Sequence, residues 1–276
     1  MATIREFANE VAKMVENAEV KEVAKANGVI KTGLVVGEGA VRPTVYIDDM
    51  YENGYTVQQA AAMVTRLAEE YKPKEAFNVD KFLDFEGFVK ANLRARLYNK
   101  KTEAEVKRSA ASRGFKDLII VPYVELEEFN GTRGSIKVKK EHIEKWGVSA
   151  KEVIDIALEN TAKDTVTKDL FGFMLDYNPE LANEMLGGLN IPDGPFIVSN
   201  KETVCGASAI LGLLPGLKKK YANGFFVLPS SIHEVLVLPN NGNENLESLN
   251  QMVKEVNAST VSPEEVLADQ AYAFGV

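Results

Sequence analysis

The chain has 276 residues, 45% of them hydrophobic and 26% charged, with a net charge of −8 and a pI near 5.1. That is ample apolar material for a core, and the acidic balance argues against a surface devoted as a whole to nucleic acid or an anionic membrane, since both need a positive field. The single cysteine, Cys205, excludes an intramolecular disulfide framework, and no apolar run approaches the roughly 18 residues of a transmembrane helix. The start, MATIREFANEVAKMVENAEV, has the pattern of a charged amphipathic helix with no apolar leader, so a cytoplasmic protein is expected.

In chain order, helix starts are marked by a hydroxyl that can accept from a free backbone amide, with a Glu or Gln three residues on that can reach back. Thr3 with Glu6 opens the first helix. Asn27-Gly28, the pair best suited to the positive φ of a tight turn, separates strands expected over 20–26 and 29–36, and a third strand follows over 44–47. Thr56 with Gln59 opens a helix whose Val57, Ala61, Val64, Ala68 and Tyr71 form one apolar stripe until Pro73 blocks continuation. Helix, strand, strand, strand, helix is the order of an antiparallel sheet with helices packed on a face. The capping signal recurs at Thr102/Glu105, Ser149/Glu152 and Ser262/Glu265, the last with Pro263 at the first helical position. Further strands are expected over 118–124, 135–138 and 196–199, and as the two arms of a hairpin, 225–228 and 235–238. The fold class expected is α+β, with mixed, largely antiparallel sheets and helices packed on their faces. The chain is expected to be a single compact unit over 1–276, with two lobes meeting near 127–134 as the alternative.

The hairpin FFVLPSSIHEVLVLP, Phe225 to Pro239, is the most legible segment. Asn223-Gly224 signals a turn before it, both arms are apolar, Pro229 removes a ladder donor, and Ser230-Ser231 is expected to make the reversal. Ser230 or Ser231, His233 and Glu234 supply the residue types of a nucleophile, a base and an orienting acid. A working triad needs the base within about 3 Å of the nucleophile and held by the acid. Strand neighbours 233 and 234 would point to opposite faces, and no G-x-S-x-G elbow is present, so a structural turn is favoured over a catalytic one.

Other constellations carry less. The glycines 33, 37 and 39 fit no phosphate-binding pattern. His142, His233 and Cys205 are far apart in sequence, and the acidic groups Asp48-Asp49-Glu52 and Asp80, Asp84, Glu86 follow no cation-binding loop. No metal and no cofactor is implied. Cys205 stands at the expected start of a helix, a position that activates a thiol, but the favoured reading is a small buried residue in the apolar run Val204, Ala207, Ile210, Leu211 and Leu214.

Charge is distributed unevenly. Residues 90–116 hold nine basic residues against Glu103 and Glu105, a net of +7, so the rest of the chain carries −8 − 7 = −15. Arg94 and Arg96 alternate with Leu93, Ala95 and Leu97 as on a strand, and Tyr98, Lys107, Arg108 and Arg113 add donors and a stacking surface. Such a face could grip RNA, single-stranded DNA or a nucleotide through phosphate contacts. It could equally dock an acidic protein partner or the chain's own acidic stretch from Glu244 to Asp269, but a solvated face with internal ion pairs is the favoured reading.

The motifs Asn27-Gly-Val-Ile-Lys-Thr-Gly33, Pro43-Thr-Val-Tyr-Ile-Asp48, Phe115-Lys-Asp-Leu-Ile-Ile-Val121, Ile136-Lys-Val, His142-Ile-Glu-Lys-Trp-Gly147, Val198-Ser-Asn200 with Gly206-Ala, Leu228-Pro-Ser-Ser-Ile-His-Glu-Val235 and Met252-Val-Lys-Glu-Val-Asn257 follow one another along the chain. Together they resemble a domain-of-unknown-function family of anaerobic gut bacteria, often found in mobile elements. The resemblance spans nearly the whole chain and brings no catalytic residue with it. It implies one unit, bacterial and cytoplasmic. Where many relatives have an aromatic before Gly206 this chain has Cys205, which speaks against a catalytic thiol. The first expectation is therefore a non-enzymatic binding or regulatory protein, using a groove beside the hairpin or the basic face. The alternatives are a nucleic-acid or nucleotide binder through 90–116 and a hydrolase-like enzyme using Ser230 or Ser231 with His233.

Overall fold

The computed structural model describes residues 3–39, 42–72, 79–102, 106, 108, 110–129, 132–170 and 194–276. The chain divides into two contact units, Met1–Phe82 with Glu125–Ile136, and Leu83–Val124 with Lys137–Val276.

In the first unit, α1 (Ile4–Met14) starts as its sequence requires. The Thr3 hydroxyl accepts from the Glu6 amide, and the Glu6 carboxylate accepts from the Thr3 amide. Strands β1 (Ala18–Ala24), β2 (Ile30–Val36) and β3 (Thr44–Tyr46) then form an antiparallel sheet in that order. Between β1 and β2 the chain turns through Asn27 at φ 59° and Gly28 at φ 75°, the left-handed region these two residues tolerate best. A short α2 (Asp48–Glu52) precedes α3 (Val57–Glu70), which opens on the reciprocal Thr56–Gln59 cap. Phe7, Ala8 and Val11 of α1 and Ala60, Ala61, Val64 and Ala68 of α3 meet Leu34, Val36, Val45 and Ile47 in one buried core. The helical residues recur at three and four, the β2 pair at two, as single buried faces demand. Asp48, one of the acidic candidates, accepts the Thr32 amide at 3.0 and 3.2 Å and so ties β2 to the start of α2.

In the second unit, short helical turns lead to β4 (Leu93–Asn99). The next strands are β5 (Arg113–Phe115), β6 (Leu118–Phe129) and β7 (Thr132–Lys137), with β6 paired to the other three. The chain leaves this unit along β6 and returns along β7. Helices α4 (Lys140–Trp146) and α5 (Ala150–Lys163) follow, and the Ser149 hydroxyl caps α5 by accepting the Glu152 amide at 3.1 Å. At α4 an imidazole takes the place of the usual Glu, for His142 Nδ1 accepts the Lys139 amide at 3.1 Å. Helix α5 lies against β4. Thr161 Oγ1 accepts the Ala95 amide at 2.8 Å while donating to the Ala157 carbonyl, and Ser208 Oγ donates to the Ala95 carbonyl at 2.6 Å. These hydroxyls satisfy the edge of β4 that has no neighbouring strand.

The larger sheet comprises β8 (Thr165–Asp169), β9 (Phe196–Asn200), β10 (Phe225–Leu228), β11 (Val235–Pro239) and β12 (Tyr272–Phe274), in the antiparallel order β12-β10-β11-β9-β8. The hairpin arms β10 and β11 are thus interior strands, with Phe226 opposite Leu238 and Leu228 opposite Leu236. All of β10 is buried, as its apolar run requires; along β11 buried residues alternate with half-buried Leu236 and Leu238. Helix α6 (Ile210–Lys220) precedes β10. Helix α7 (Leu246–Ser259) covers one sheet face, its Leu249 and Val253 packing with Phe226 and Leu228.

Helices with mostly antiparallel sheets make this an α+β fold. Among the described residues no helix is long and apolar enough to cross a membrane. One expected helix is absent. Ser262 opens only a single 3₁₀ turn, Pro263–Glu265, because the Glu265 carboxylate goes to His233 instead of back to Ser262. The helix expected after Thr102 falls largely outside the described residues.

Candidate functional site

The connection between β10 and β11 does not reverse at Ser230-Ser231. The chain runs on beside residues 266–268: the amides of Ala268 and Leu267 donate to the carbonyls of Pro229 and Ser230 at 3.0 and 2.9 Å, and Ser231 bridges to Val266. This pairing engages backbone groups that Pro229 takes out of the β10 ladder. The bend comes later, at Ile232 and His233. Ser231 is buried and its hydroxyl accepts the His233 amide at 3.0 Å; Ser230 is half-buried.

His233 is held from both sides. Its Nδ1 accepts the Cys205 amide at 3.2 Å, and its Nε2 lies 3.2 Å from Glu265 Oε1. A ring nitrogen that accepts carries no proton, so the donor nitrogen of the ring is Nε2, the one beside Glu265. Neither nitrogen is left for a serine hydroxyl, and the Ser–His pairing that would activate a nucleophile is not formed. Strand alternation would send Glu234 away from His233. Because residues 232 and 233 form a bend, the Glu234 carboxyl instead lies within electrostatic reach of both His233 and Glu265. Burial pushes its pKa up, His233 opposes that shift, and the Glu265 charge adds to it.

Cys205 brings its amide to this group from the other side of the turn. It sits at φ 52°, immediately before the 3₁₀ turn Gly206–Ala209 that leads into α6. Burial pushes the thiol up, with the Arg96 guanidinium opposing and the Glu265 charge adding. A thiol held in its protonated form is a poor nucleophile. Gly206 is the close-packed element: a Cβ there would fall 2.5 Å from the Asn200 nitrogen and 2.8 Å from the His233 carbonyl oxygen.

Three of the nine basic residues of 90–116 are paired with carboxylates outside the segment. Arg94 Nε donates to Asp164 Oδ2 at 2.7 Å, Arg113 donates to Asp155 Oδ1 at 2.6 Å, and Lys90 pairs with Glu86 at 2.9 Å. Asp155 is held below the usual carboxylate range, first by Lys151 and then by Arg113. Arg108 is exposed and Lys107 lies outside the described residues. Arg96 differs. Its guanidinium carbon lies 4.2 Å from the centre of the Tyr123 ring, and nothing among the described residues accepts a hydrogen bond from it. Tyr123 is 5% exposed; burial raises its phenol far above the usual range, with Tyr98 next among the causes. The Tyr98 and Tyr123 hydroxyls share a hydrogen bond and their rings stack with centroids 6.3 Å apart. The guanidinium therefore rests on a fixed aromatic platform, with the Cys205 thiol in electrostatic reach.

Arg96, Cys205, His233, Glu234 and Glu265 thus form one half-buried polar group within the second unit, to which Ser230 contributes its backbone carbonyl and Ser231 a hydroxyl that accepts the His233 amide rather than serving the ring. Sequence reasoning missed Glu265. Its signal was present as the apparent capping residue of a helix that does not form. A family model described as "Family of unknown function (DUF5688)" matches residues 1–275. No curated protein and no solved structure matches the chain.

Proposed function

The chain belongs to the family of unknown function DUF5688, and within it we propose a non-enzymatic binding protein that takes a small anionic ligand at Arg96, beside the hairpin turn. The observation that carries this reading is the contrast among three arginines. Arg94 and Arg113 have carboxylate partners, while Arg96 has no acceptor among the described residues. A guanidinium presents its donors as a planar fork that matches a carboxylate or phosphate bidentately, and stacking on Tyr123 holds that plane ready. His233, locked between Cys205 and Glu265, suits a positioning wall better than a base. Hydrolysis through Ser230 or Ser231 has less support for the same reason. Nucleic-acid binding along the whole of 90–116 has less support because Lys90, Arg94 and Arg113 are committed to Glu86, Asp164 and Asp155. A cytoplasmic setting fits a chain whose one cysteine is a free thiol.

Isothermal titration calorimetry with inorganic phosphate, acetate and succinate tests this. Binding of at least one anion is expected in wild type and in Arg94→Gln, and its loss in Arg96→Gln. Absence of binding by every anion at millimolar concentration, or equal binding by Arg96→Gln, would refute the proposal.

A further inference from the structure

We infer that the ligand seated on Arg96 also carries an amine, so that the site takes a zwitterion of the amino-acid type, with its carboxylate on Arg96 and its ammonium on Glu234 and Glu265. The inference rests on the anion-binding reading above and extends it. Arg96 and Glu234 are both half-buried, and neither side chain has a hydrogen bond or ion pair among the described residues. A half-buried charge without a partner is costly, and the fold that pairs Arg94 and Arg113 with carboxylates offers Arg96 only the Tyr123 ring and Glu234 no ion pair among the described residues. Glu265 gives one oxygen to His233 Nε2, and its other oxygen has no hydrogen bond among the described residues. Cys205 joins the two halves: its amide bonds His233, whose Nε2 lies 3.2 Å from Glu265, and the Gly206–Ala209 turn that follows it packs on β4, where Ser208 donates to the carbonyl of Ala95, the neighbour of Arg96. A ligand bearing only an anion would satisfy Arg96 and meet repulsion from the two carboxyls. A ligand bearing only a cation would do the reverse. An amino acid neutralises both ends at once, and its ammonium relieves the mutual repulsion of Glu234 and Glu265.

The test is calorimetric titration of the full chain at neutral pH with three matched pairs: glycine against acetate, β-alanine against propionate, and γ-aminobutyrate against butyrate. The series varies the distance between the charges. At least one amino compound is expected to bind about tenfold or more tighter than its partner, as one added charge-assisted hydrogen bond implies. An amino compound that binds where every plain anion fails would refute the anion-binding reading and, with it, this inference. Glu234→Gln and Glu265→Gln should each erase that advantage, read as the ratio of affinities within a pair, and Arg96→Lys should weaken both members of a pair. If the carboxylates or phosphate bind through Arg96 and no amine adds affinity, this inference falls and the anion site stands. If amino compounds, carboxylates and phosphate all fail to bind, both fall together.

Discussion

Gly206→Ala probes the packing on which the candidate site depends. The added methyl would press into Ser199 Oγ and lie 2.5 Å from Asn200 N and 2.8 Å from His233 O. Ordinary contact begins at 3.4 Å, so the shortfalls at the two backbone atoms are about 0.9 and 0.6 Å. A side chain could swing away from such a clash. Backbone at the end of β9 and backbone of the hairpin turn cannot, and Ser199 is itself fixed by donating to the His233 carbonyl at 2.8 Å. Overpacking a buried position costs about 1–3 kcal/mol, and two unyielding neighbours place this case at the upper end. At about 2–4 °C per kcal/mol for a domain of this size, the melting temperature should fall by about 6–12 °C. Gly216→Ala is the control: it lies exposed in α6 with nothing within 4 Å of an added Cβ, and should gain up to about 1 kcal/mol through helix propensity. Differential scanning calorimetry with urea titration reads both variants. If Gly206→Ala melts with wild type, the close approach of the Cys205 loop to the hairpin turn is wrong, and the held position of His233 with it.

Thr161→Val should cost about 1–3 kcal/mol by urea denaturation, because it strands the buried Ala95 amide, whereas Thr161→Ser keeps the acceptor; equal stability of the two variants would contradict the edge-capping role. His142 caps α4 through an accepting Nδ1, and burial followed by Lys139 lowers its pKa from the usual 6.5. A base whose folded pKa is depressed stabilises the fold above its unfolded pKa and loses that contribution as pH falls, so wild type should weaken relative to His142→Gln below about pH 6.5. Parallel melting curves from pH 7.5 to 5 would count against it. Tyr272 donates its hydroxyl to Asp117, so Tyr272→Phe should lose about 1.5–3 kcal/mol, the value of a hydrogen bond to a charged acceptor, in the same urea assay. An unchanged midpoint would show that Gln270, which also donates to Asp117, suffices alone.

What the sequence determined by itself are the features written in neighbouring residues. The caps at Thr3, Thr56 and Ser149 involve groups three residues apart, the Asn27-Gly28 turn needs two residues with access to positive φ, and the apolar run from Phe225 to Leu228 announces a strand covered on both faces. These are local because backbone geometry fixes which near neighbours meet. The site is decided otherwise. Arg94 meets Asp164 across 70 residues and Arg113 meets Asp155 across 42, so a count of charges in 90–116 could show an excess but not which of its members are paired. Glu265 carries a capping signal that its near neighbours support, yet His233 wins its carboxylate, because residues 229–231 run beside 266–268 and bring the two together. That juxtaposition exists only once the sheet has formed. Tertiary pairing alone therefore separated Arg94 and Arg113, which hold carboxylates, from Arg96, which stacks on Tyr123, and turned a serine–histidine motif into a histidine fixed between an amide and a carboxylate.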